Sequence, residues 1–351
     1  MFKNRAAPVI GALLVSVACG WAFSALRLPL PWLIGPLLGI GIANLAGIRL
    51  REFRGGRQLG QIVIGTVIGL AFTPAIARIV VSHLPSMVLV ALASLLVAGI
   101  GAVMLRKIGR IDATTAFFGT VPGGMSEMLV IGDRVGAQPM MLTVAQVVRV
   151  TILVLTLPPA IVWSGASGAE IFMPHAMPVV WPKLIALLAA AGLVAIALNA
   201  LGMTNAWMLG SCTLAAALTV AEVETSGMPS YLSNAGQLLI GIMIGERFQR
   251  EEFARAPRVV IGAAVSTAFL MAACLGLAVL LWTYTGLPLA TLVAATAPGG
   301  LAEMSITAKV LNLGVPIVTA FHVMRVFMIT LFTLPAFRLL GMLRRRAGQG
   351  L

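Results

Sequence analysis

Long uncharged stretches dominate this sequence. Apolar runs of about 20 residues recur along almost the whole chain, and that is the length an α-helix needs to cross the hydrocarbon core of a bilayer. Hydrophobic residues make up 60% of the 351 positions and charged residues only 10%. Water-soluble domains carry about a quarter charged residues. The sequence therefore predicts an all-α polytopic membrane protein.

Basic residues concentrate in short loops between the apolar runs, and the formal net charge is +13. Loops of this kind usually face the cytoplasm, as the positive-inside rule describes. We therefore expect a multi-pass protein with both termini in the cytoplasm. A nucleic-acid partner is not expected, since no basic helix or zinc-ligand spacing accompanies the charge. The basic clusters lie at 49–57, 106–110, 247–258 and 344–346.

The chain contains two copies of one unit. Rare residues recur at an offset of 176 positions, for example Glu127 and Glu303, and this offset is about half of the chain length. We therefore divide the chain into membrane repeat 1, residues 1–175, and membrane repeat 2, residues 176–351. Each repeat has enough apolar sequence for five spans. Further matched pairs are Gly60 and Gly236, Gln61 and Gln237, Thr143 and Thr319, and Arg149 and Arg325.

Each repeat also contains a Pro-Gly-Gly motif between its fourth and fifth spans, in TVPGGMSEM (120–128) and TAPGGLAEM (296–304). Proline ends a helix, and the two glycines are expected to allow a tight reversal with positive φ. We therefore predict a re-entrant hairpin at about 111–137 and another at about 288–312. The alternatives are a segment that crosses the bilayer and a simple kink for helix packing.

The charge distribution favours hairpins that dip into the membrane and return. Each repeat then has an odd number of spans, so the two repeats insert upside down relative to each other, and most Lys and Arg fall on one side. The predicted fold is two inverted repeats, each with about five transmembrane helices plus one re-entrant hairpin. This arrangement brings the two hairpin tips together near the midplane, where secondary transporters hold substrates in broken helices.

The candidate substrate or ion site combines the hairpin tips with midspan polar residues. The second arm of each hairpin directs backbone N–H groups and the positive end of its dipole at the tip, which favours an anion. An arginine in the middle of a span costs about 3 kcal/mol or more, so it needs a partner. That partner is either the glutamate of the same repeat or a substrate carboxylate, with the glutamate coupling to H⁺ or Na⁺. The candidates are Thr120, Gly123, Gly124, Glu127, Gln146, Arg149 and Gln61, with Thr296, Gly299, Gly300, Glu303, His322, Arg325 and Gln237.

The duplicated T-x-P-G-G-x-x-E-M motif, the odd repeat and the basic C-terminus resemble the AbrB-type membrane proteins. These are duplicated bacterial inner-membrane proteins, often labelled ammonia monooxygenases. The layout is also similar to that of glutamate- and citrate-type sodium symporters. That similarity implies a hairpin domain that moves as an elevator, with its substrate at the threonines and glycines of the two motifs. We expect no enzyme activity, because a copper oxygenase needs clustered histidines, whereas His83, His175 and His322 are scattered.

These features together predict a secondary transporter that moves a small anionic metabolite across the bacterial inner membrane by alternating access. No metal or cofactor is expected beyond a coupling H⁺ or Na⁺. Membrane lipid and a second copy of the chain, in a homodimer, are the other expected partners. The alternative hypothesis is a membrane-embedded regulator or sensor that affects gene expression indirectly, without transport.

Overall fold

The computed structural model describes residues 6–165, 177–203, 205–329 and 332. Every regular element within these ranges is an α-helix. The side chains of Ser126 and Glu127 lie outside the described part, so the predicted role of the Glu127 carboxylate does too. The basic cluster at 344–346 is likewise outside it.

Eight helices of the first half have counterparts, in the same order, in the second half. Lengths agree closely for several pairs: α1 and α9 each have 20 residues, and α2 and α10 each have 15. The first eight are α1 (Ala6–Ala25), α2 (Pro31–Leu45), α3 (Gly56–Gly69), α4 (Pro74–Ser82), α5 (Leu84–Gly109), α6 (Ala113–Thr120), α7 (Met125–Arg134) and α8 (Pro139–Trp163). Their counterparts are α9 (Trp181–Ala200), α10 (Ala206–Val220), α11 (Ser230–Gly245), α12 (Arg250–Arg255), α13 (Pro257–Thr285), α14 (Leu289–Thr296), α15 (Leu301–Val310) and α16 (Val315–Ile329).

Five of these helices are long and apolar enough to cross a membrane, namely α1, α5, α8, α9 and α13. A sixth span is possible if α3 and α4 are counted together, although the two are bent by 92°. The helices α2, α10 and α16 are apolar but shorter. The all-α polytopic membrane fold predicted from the sequence is therefore confirmed. The inversion of one repeat relative to the other stays a prediction.

The apolar run at 58–76 predicts a single span, the third of the first repeat, but α3 ends at Gly69 and a new helix begins at Pro74. Proline is favoured in the first turn of a helix, where its missing N–H is not needed. The Oγ1 atom of Thr73 accepts a hydrogen bond from the backbone N–H of Ile76, and this side chain caps α4. The Thr-Pro pair therefore starts a separate helix that leaves the direction of α3.

The two halves are interlocked. Helix α2 packs on α11 and α10 packs on α3, which are equivalent contacts when the halves are exchanged. The α3–α11 and α5–α13 contacts each join a helix to its own counterpart. One large apolar cluster contains buried residues from both halves, such as Leu33, Ile64 and Met208. The chain thus has two groups of helices, one built from α1–α3 and α9–α11 and the other from α5–α8 and α13–α16.

Matched glycines allow the closest of these helix contacts. A Cβ atom added to Gly65 in α3 would lie 2.5 Å from the carbonyl oxygen of Met208 in α10. A Cβ atom added to Gly241 in α11 would lie 2.5 Å from the carbonyl oxygen of Leu33 in α2. Small residues let helix backbones approach where no larger side chain fits. The glycines shared by the two repeats therefore have a packing role in α3 and α11.

Candidate functional site at the hairpin tips

Each Pro-Gly-Gly motif separates two short helices that pack on each other. In the first half α6 ends at Thr120 and α7 begins at Met125, and in the second half α14 ends at Thr296 and α15 begins at Leu301. The residues before the two prolines are extended, with ψ of 125° at Val121 and 139° at the corresponding alanine. A residue before proline avoids helical geometry, so the first arm ends there. These arms fall within the segments where hairpins were predicted.

The positive φ angles expected at the glycine pairs are wrong. Gly124 has φ of −63° and Gly300 has φ of −76°. The tip glycines leave room for side chains of the following helix, which approach closely. A Cβ atom on Gly123 would lie 2.8 Å from Cε of Met128, and one on Gly300 would lie 2.0 Å from Oε2 of Glu303. The carboxylate of Glu303 therefore reaches back over the N-terminus of α15.

Arg149, in the middle of α8, is buried and bonds to the end of the first hairpin arm. Its Nη1 donates to the carbonyl oxygens of Thr120 at 3.0 Å and Val121 at 2.9 Å. Those carbonyls have no partner within α6, because the last carbonyls of a helix lack the next turn. The positive guanidinium also suits the negative end of the helix dipole. The partner of this midspan arginine is therefore backbone.

Arg325, at the matching position of α16, makes the same kind of contact with the second hairpin. Its Nη1 donates to the carbonyl oxygen of Ala297 at 2.5 Å, and its Nη2 donates to the carbonyl oxygen of Gly299. Among the described side chains the ion pairs are Arg49–Glu251 and Lys183–Glu224. The glutamate–arginine pair considered for each repeat is thus not formed by Arg325 and Glu303.

Gln146 and His322, one turn before the two arginines, also contact the backbone of the first hairpin arms. Nε2 of Gln146 donates to the carbonyl oxygen of Phe118 at 3.0 Å, and Nε2 of His322 lies 3.0 Å from that of Ala294. Nδ1 of His322 lies 2.6 Å from Nη2 of Arg325, which is always a donor. The ring must accept at Nδ1 and donate at Nε2, so it is the neutral tautomer. These two residues support the hairpins from behind.

The two threonines of the motifs bond to helix backbone. Oγ1 of Thr120 donates to the carbonyl oxygen of Ala116 at 2.8 Å. Oγ1 of Thr296 donates to the carbonyl oxygen of Cys274 in α13 at 3.0 Å, which ties α14 to α13. Both residues are buried. Their hydroxyls have a structural role in this conformation.

Both hairpin tips line one cavity, with a volume of about 70 Å³. The tip glycines of both halves reach it, and α3, α8 and α11 supply its polar and apolar walls. Several predicted site residues do not line it, because they lie behind the tips or elsewhere in the core: Thr120, Thr296, Gln146, His322, Arg325 and Gln237. The predicted residues that do line it are Gly123, Gly124, Gly299, Gly300, Glu303, Arg149 and Gln61.

Three polar lining residues were not predicted from the sequence, namely Arg57, Arg247 and Asn205. The two arginines belong to basic clusters that the positive-inside rule assigns to loops. For that reason they were not considered as site residues. The signal for Asn205 was its place just before α10, where asparagine often precedes a helix. Its backbone is left-handed, with φ of 52°.

Arginines outnumber carboxylates among the described side chains that line the cavity. Arg247 lies just after α11, and burial lowers its pKa, as does the neighbouring charge of Arg57, whereas Glu52 and Glu246 oppose the shift. Three arginines therefore face the cavity against the one described carboxylate, that of Glu303. An excess of positive charge in a confined space attracts anions.

Sequence comparison places this site in a family. The family model described as "Transition state regulatory protein AbrB" matches residues 32–341. The chain belongs to the AbrB family. The resemblance drawn from the duplicated motifs is thereby confirmed, and the AbrB match covers both hairpins and the cavity.

Two AbrB-family relatives match most of the chain. It is 28% identical over 352 residues to "Uncharacterized protein YhjN" of Bacillus subtilis (strain 168), covering 93% of this chain and 91% of that protein. It is 26% identical over 322 residues to "Putative regulator AbrB" of Escherichia coli (strain K12), covering 90% of this chain and 92% of that protein. Neither name describes an enzyme. Within the described ranges, no group of three or more His, Cys, Asp or Glu residues could hold a metal ion.

Proposed function

We propose that this AbrB-family protein is a secondary transporter that moves a small anionic metabolite across the bacterial inner membrane. One observation supports this most directly: two interrupted membrane helices end at the same arginine-lined cavity. Broken helices that point their N-termini at a shared midplane cavity are typical of substrate sites in secondary transporters.

The chemistry of the cavity favours an anion. Helices α7 and α15 begin at its wall, and the first N–H groups of a helix carry a partial positive charge. Arg149, Arg57 and Arg247 add three full charges. A carboxylate or similar group entering here gains from both sources. Glu303 is 8% exposed and lines the same cavity, so it is the proposed group that couples transport to H⁺ or Na⁺.

The packing is compatible with an elevator-type movement. The hairpins pack with α5, α8 and α13 and are hydrogen-bonded to α16, whereas α1–α3 and α9–α11 form the other group of helices. From the α1–α3 and α9–α11 group, α3, α10 and α11 share the cavity wall with the hairpins. In the proposed cycle the hairpin group moves against the other group, which is the scaffold of a homodimer in lipid.

Uptake by purified protein tests the proposal. Protein reconstituted in liposomes is given a panel of radiolabelled small carboxylates, with an inward H⁺ or Na⁺ gradient. We expect at least one compound to accumulate, and we expect Arg149→Gln to abolish the accumulation. Arg106→Gln, at the exposed end of α5, is the matched control and should transport normally. Folded protein that moves none of the panel under either gradient would contradict the proposal.

A regulatory role is the second candidate, since one relative carries the name "Putative regulator AbrB". It predicts that the cavity binds an anion without moving it and that deletion of the gene changes transcript levels through another protein. Arg149→Gln would then change transcript levels, while the liposome assay would stay negative for the unmodified protein. The liposome assay therefore distinguishes the two candidates, because only the transporter accumulates a compound.

A further inference from the structure

Two buried polar atoms of residues that line the cavity have no hydrogen-bond partner in the part of the chain that the structure describes. One is Oε1 of Gln61, in α3, and the other is Nε of Arg149, in α8. The two residues are 5% and 3% exposed. A buried polar atom without a partner is unfavourable, so a molecule in the cavity gains free energy by bonding to both.

The two atoms need opposite kinds of partner. The oxygen of an amide accepts hydrogen bonds, whereas the Nε–H of a guanidinium can only donate one. A ligand that meets both therefore carries an acceptor and a donor. The acceptor is the anionic group already inferred for this cavity. The donor is a second group on the same molecule.

Gln61 lies where α3 is packed tightly between α10 and α11. Oγ of Ser211, in α10, donates to the carbonyl oxygen of Gln61 at 3.4 Å. A Cβ atom added to the neighbouring Gly60 would lie 3.1 Å from the carbonyl oxygen of Gly236 in α11. The backbone that carries the Gln61 side chain is therefore held by close helix contacts. Its amide belongs to the cavity wall formed by the α1–α3 and α9–α11 group.

Arg149 lines the cavity from the helix group that contains the hairpins. Its Nη1 is occupied by the carbonyl oxygens of Thr120 and Val121, whereas its Nε has no acceptor. Helices α7 and α15 begin at the same wall and add backbone N–H groups, which favour an anion. The carboxylate of a ligand is therefore favoured toward α8 and the hairpins, and its donor toward α3.

The volume of the cavity limits the size of this ligand. A single water needs about 10–15 Å³ of such space, so a cavity of about 70 Å³ accommodates about five to seven water-sized groups. Short hydroxycarboxylates, such as glycolate and lactate, have this size. They also carry one acceptor group and one donor group on adjacent carbon atoms.

The charge of the cavity wall favours a hydroxyl over an ammonium group as the donor. Arg149 and Arg247 both line the cavity, whereas the described carboxylate there is that of Glu303. The Glu303 carboxylate lies back over the N-terminus of its own helix, close to Gly300. Like charges repel each other strongly in a confined site, so an ammonium is disfavoured beside the arginines. A neutral hydroxyl has no such penalty.

We propose that the cavity selects a small hydroxycarboxylate, with Oε1 of Gln61 accepting a hydrogen bond from its hydroxyl and Nε of Arg149 donating to its carboxylate. This inference rests on the proposed function, because it names the class of anion that the same cavity takes. Gln61 is then the residue that determines specificity. Arg149 and the hairpin backbone provide the affinity that all small carboxylates share.

Equilibrium binding tests this selectivity without measuring transport. Purified protein is titrated with radiolabelled lactate, propionate, pyruvate and alanine, which share one carbon skeleton and differ in the group next to the carboxylate. We expect lactate to bind at least about tenfold more tightly than each of the others, because its neutral hydroxyl satisfies the buried amide oxygen. Gln61→Met removes that acceptor at similar side-chain size, so the ratio of lactate to propionate affinity should fall close to one. Gln237→Met changes the buried glutamine at the matching position of α11, which does not line the cavity, and should keep the ratio.

The comparison of the four compounds on the unmodified protein is decisive by itself, so the test does not depend on the folding of a variant. Equal binding of all four, tighter binding of pyruvate or alanine than of lactate, or no binding to folded protein overturns the inference. A preference for lactate that survives in folded Gln61→Met protein overturns the role of Gln61. Preference for lactate without uptake in liposomes supports the selectivity and contradicts transport. Uptake of small carboxylates with no preference for a hydroxyl supports transport and overturns the selectivity.

Discussion

The two midspan arginines replace hydrogen bonds that a continuous helix would have made. A break at Pro122 or Pro298 leaves the carbonyls of the first arm without the next turn. Lipid offers no donors, so these carbonyls need a partner within the protein. Arg149 and Arg325 supply N–H groups from the neighbouring helix. The cost of placing each charge at this depth is thereby offset.

Removing either guanidinium should disable the site. We predict that Arg149→Gln and Arg325→Gln each lower uptake at least about tenfold, because a hydrogen bond to a charged group is worth about 1.5–3 kcal/mol. Of these two arginines, Arg149 lines the cavity and Arg325 does not, so Arg149→Gln should also weaken anion binding in a titration. Arg325→Gln should mainly lower the melting temperature of the purified protein. Normal uptake by both variants would show that the site has been assigned to the wrong residues.

Gly300 tests the contact between the second tip and the Glu303 carboxylate. An added methyl group would collide with Oε2 of Glu303, which is the far end of a flexible side chain. We therefore predict that Gly300→Ala changes stability by less than about 1 kcal/mol but lowers uptake, because the carboxylate must leave the helix N-terminus. Gly99→Ala, in α5 with nothing within 4 Å, is the control and should keep both properties. Equal uptake by the two variants would contradict a role for this contact.

For individual residues, the sequence indicated which side chains lie near the hairpins better than it indicated the atoms that they contact. The free-energy cost of burying Arg149 indicated that its charge has a partner. The sequence could not show that this partner is a set of backbone carbonyls, because every residue has one. The glycine pair of the first motif indicated a special backbone, whereas φ of Gly124 is an ordinary −63°, and a Cβ atom on Gly123 would lie 2.8 Å from Cε of Met128 in the following helix. Arg57 and Arg247 looked like ordinary loop charges because a linear pattern does not show how far a loop folds inward.

Helix α3 is held to α10 through backbone contacts that only glycine allows. A Cβ atom on Gly65 would lie 2.1 Å from Oγ of Ser211, and one on Gly69 would lie 2.4 Å from the carbonyl oxygen of Cys212. The equivalent glycines of α11, Gly241 and Gly245, face α2 in the same way. The two crossings are therefore built alike.

Larger residues at these crossings should destabilise the protein. We predict that Gly65→Ala and Gly241→Ala each cost about 1–3 kcal/mol, because the helices must separate to admit a methyl group against backbone. The measurement is the melting temperature in detergent, together with the yield of folded protein. Gly276→Ala in α13, where nothing lies within 4 Å, should be neutral. A neutral result at position 65 would mean that the α3–α10 contact is looser than described.

The hairpins could be predicted from the sequence because Pro-Gly-Gly ends a helix in the middle of an apolar run. Few structures other than a hairpin place such a break there. The break between α3 and α4 was not predicted, although Thr73 and Pro74 form a recognisable helix start. Their neighbours are apolar on both sides, so hydropathy alone joined two helices into one span. Hydropathy indicated one continuous helix there, whereas the Thr-Pro cap indicated a new helix start. The structure has the new helix.

The whole molecule repeats one arrangement of eight helices, and its membrane orientation remains the central prediction. The loop at 222–230 and the segment at 247–258 lie at opposite ends of α11. They should lie on opposite faces of the membrane if α11 crosses it. The Arg247–Arg258 segment is the basic one and should face the cytoplasm.

Vesicles of known orientation test this directly. We predict that Val223→Cys, in a chain without native cysteines, reacts with an impermeant maleimide in right-side-out vesicles. Arg255→Cys should react only in inside-out vesicles. Both positions are exposed, so reactivity reports sidedness. Labelling of both from the same face would remove the basis for inversion and for the transporter proposal.

The positions at which the two halves differ have a consequence for the energy of the molecule. Identical inverted copies would hold the inward- and outward-facing arrangements at equal free energy, because turning either one over produces the other. In a transporter built from inverted halves, positions at which the halves differ, such as Arg57 and its counterpart Ser233 or Asp133 and its counterpart Lys309, would break that equality. The proposed transporter would thus owe its resting orientation to the substitutions that distinguish its two halves.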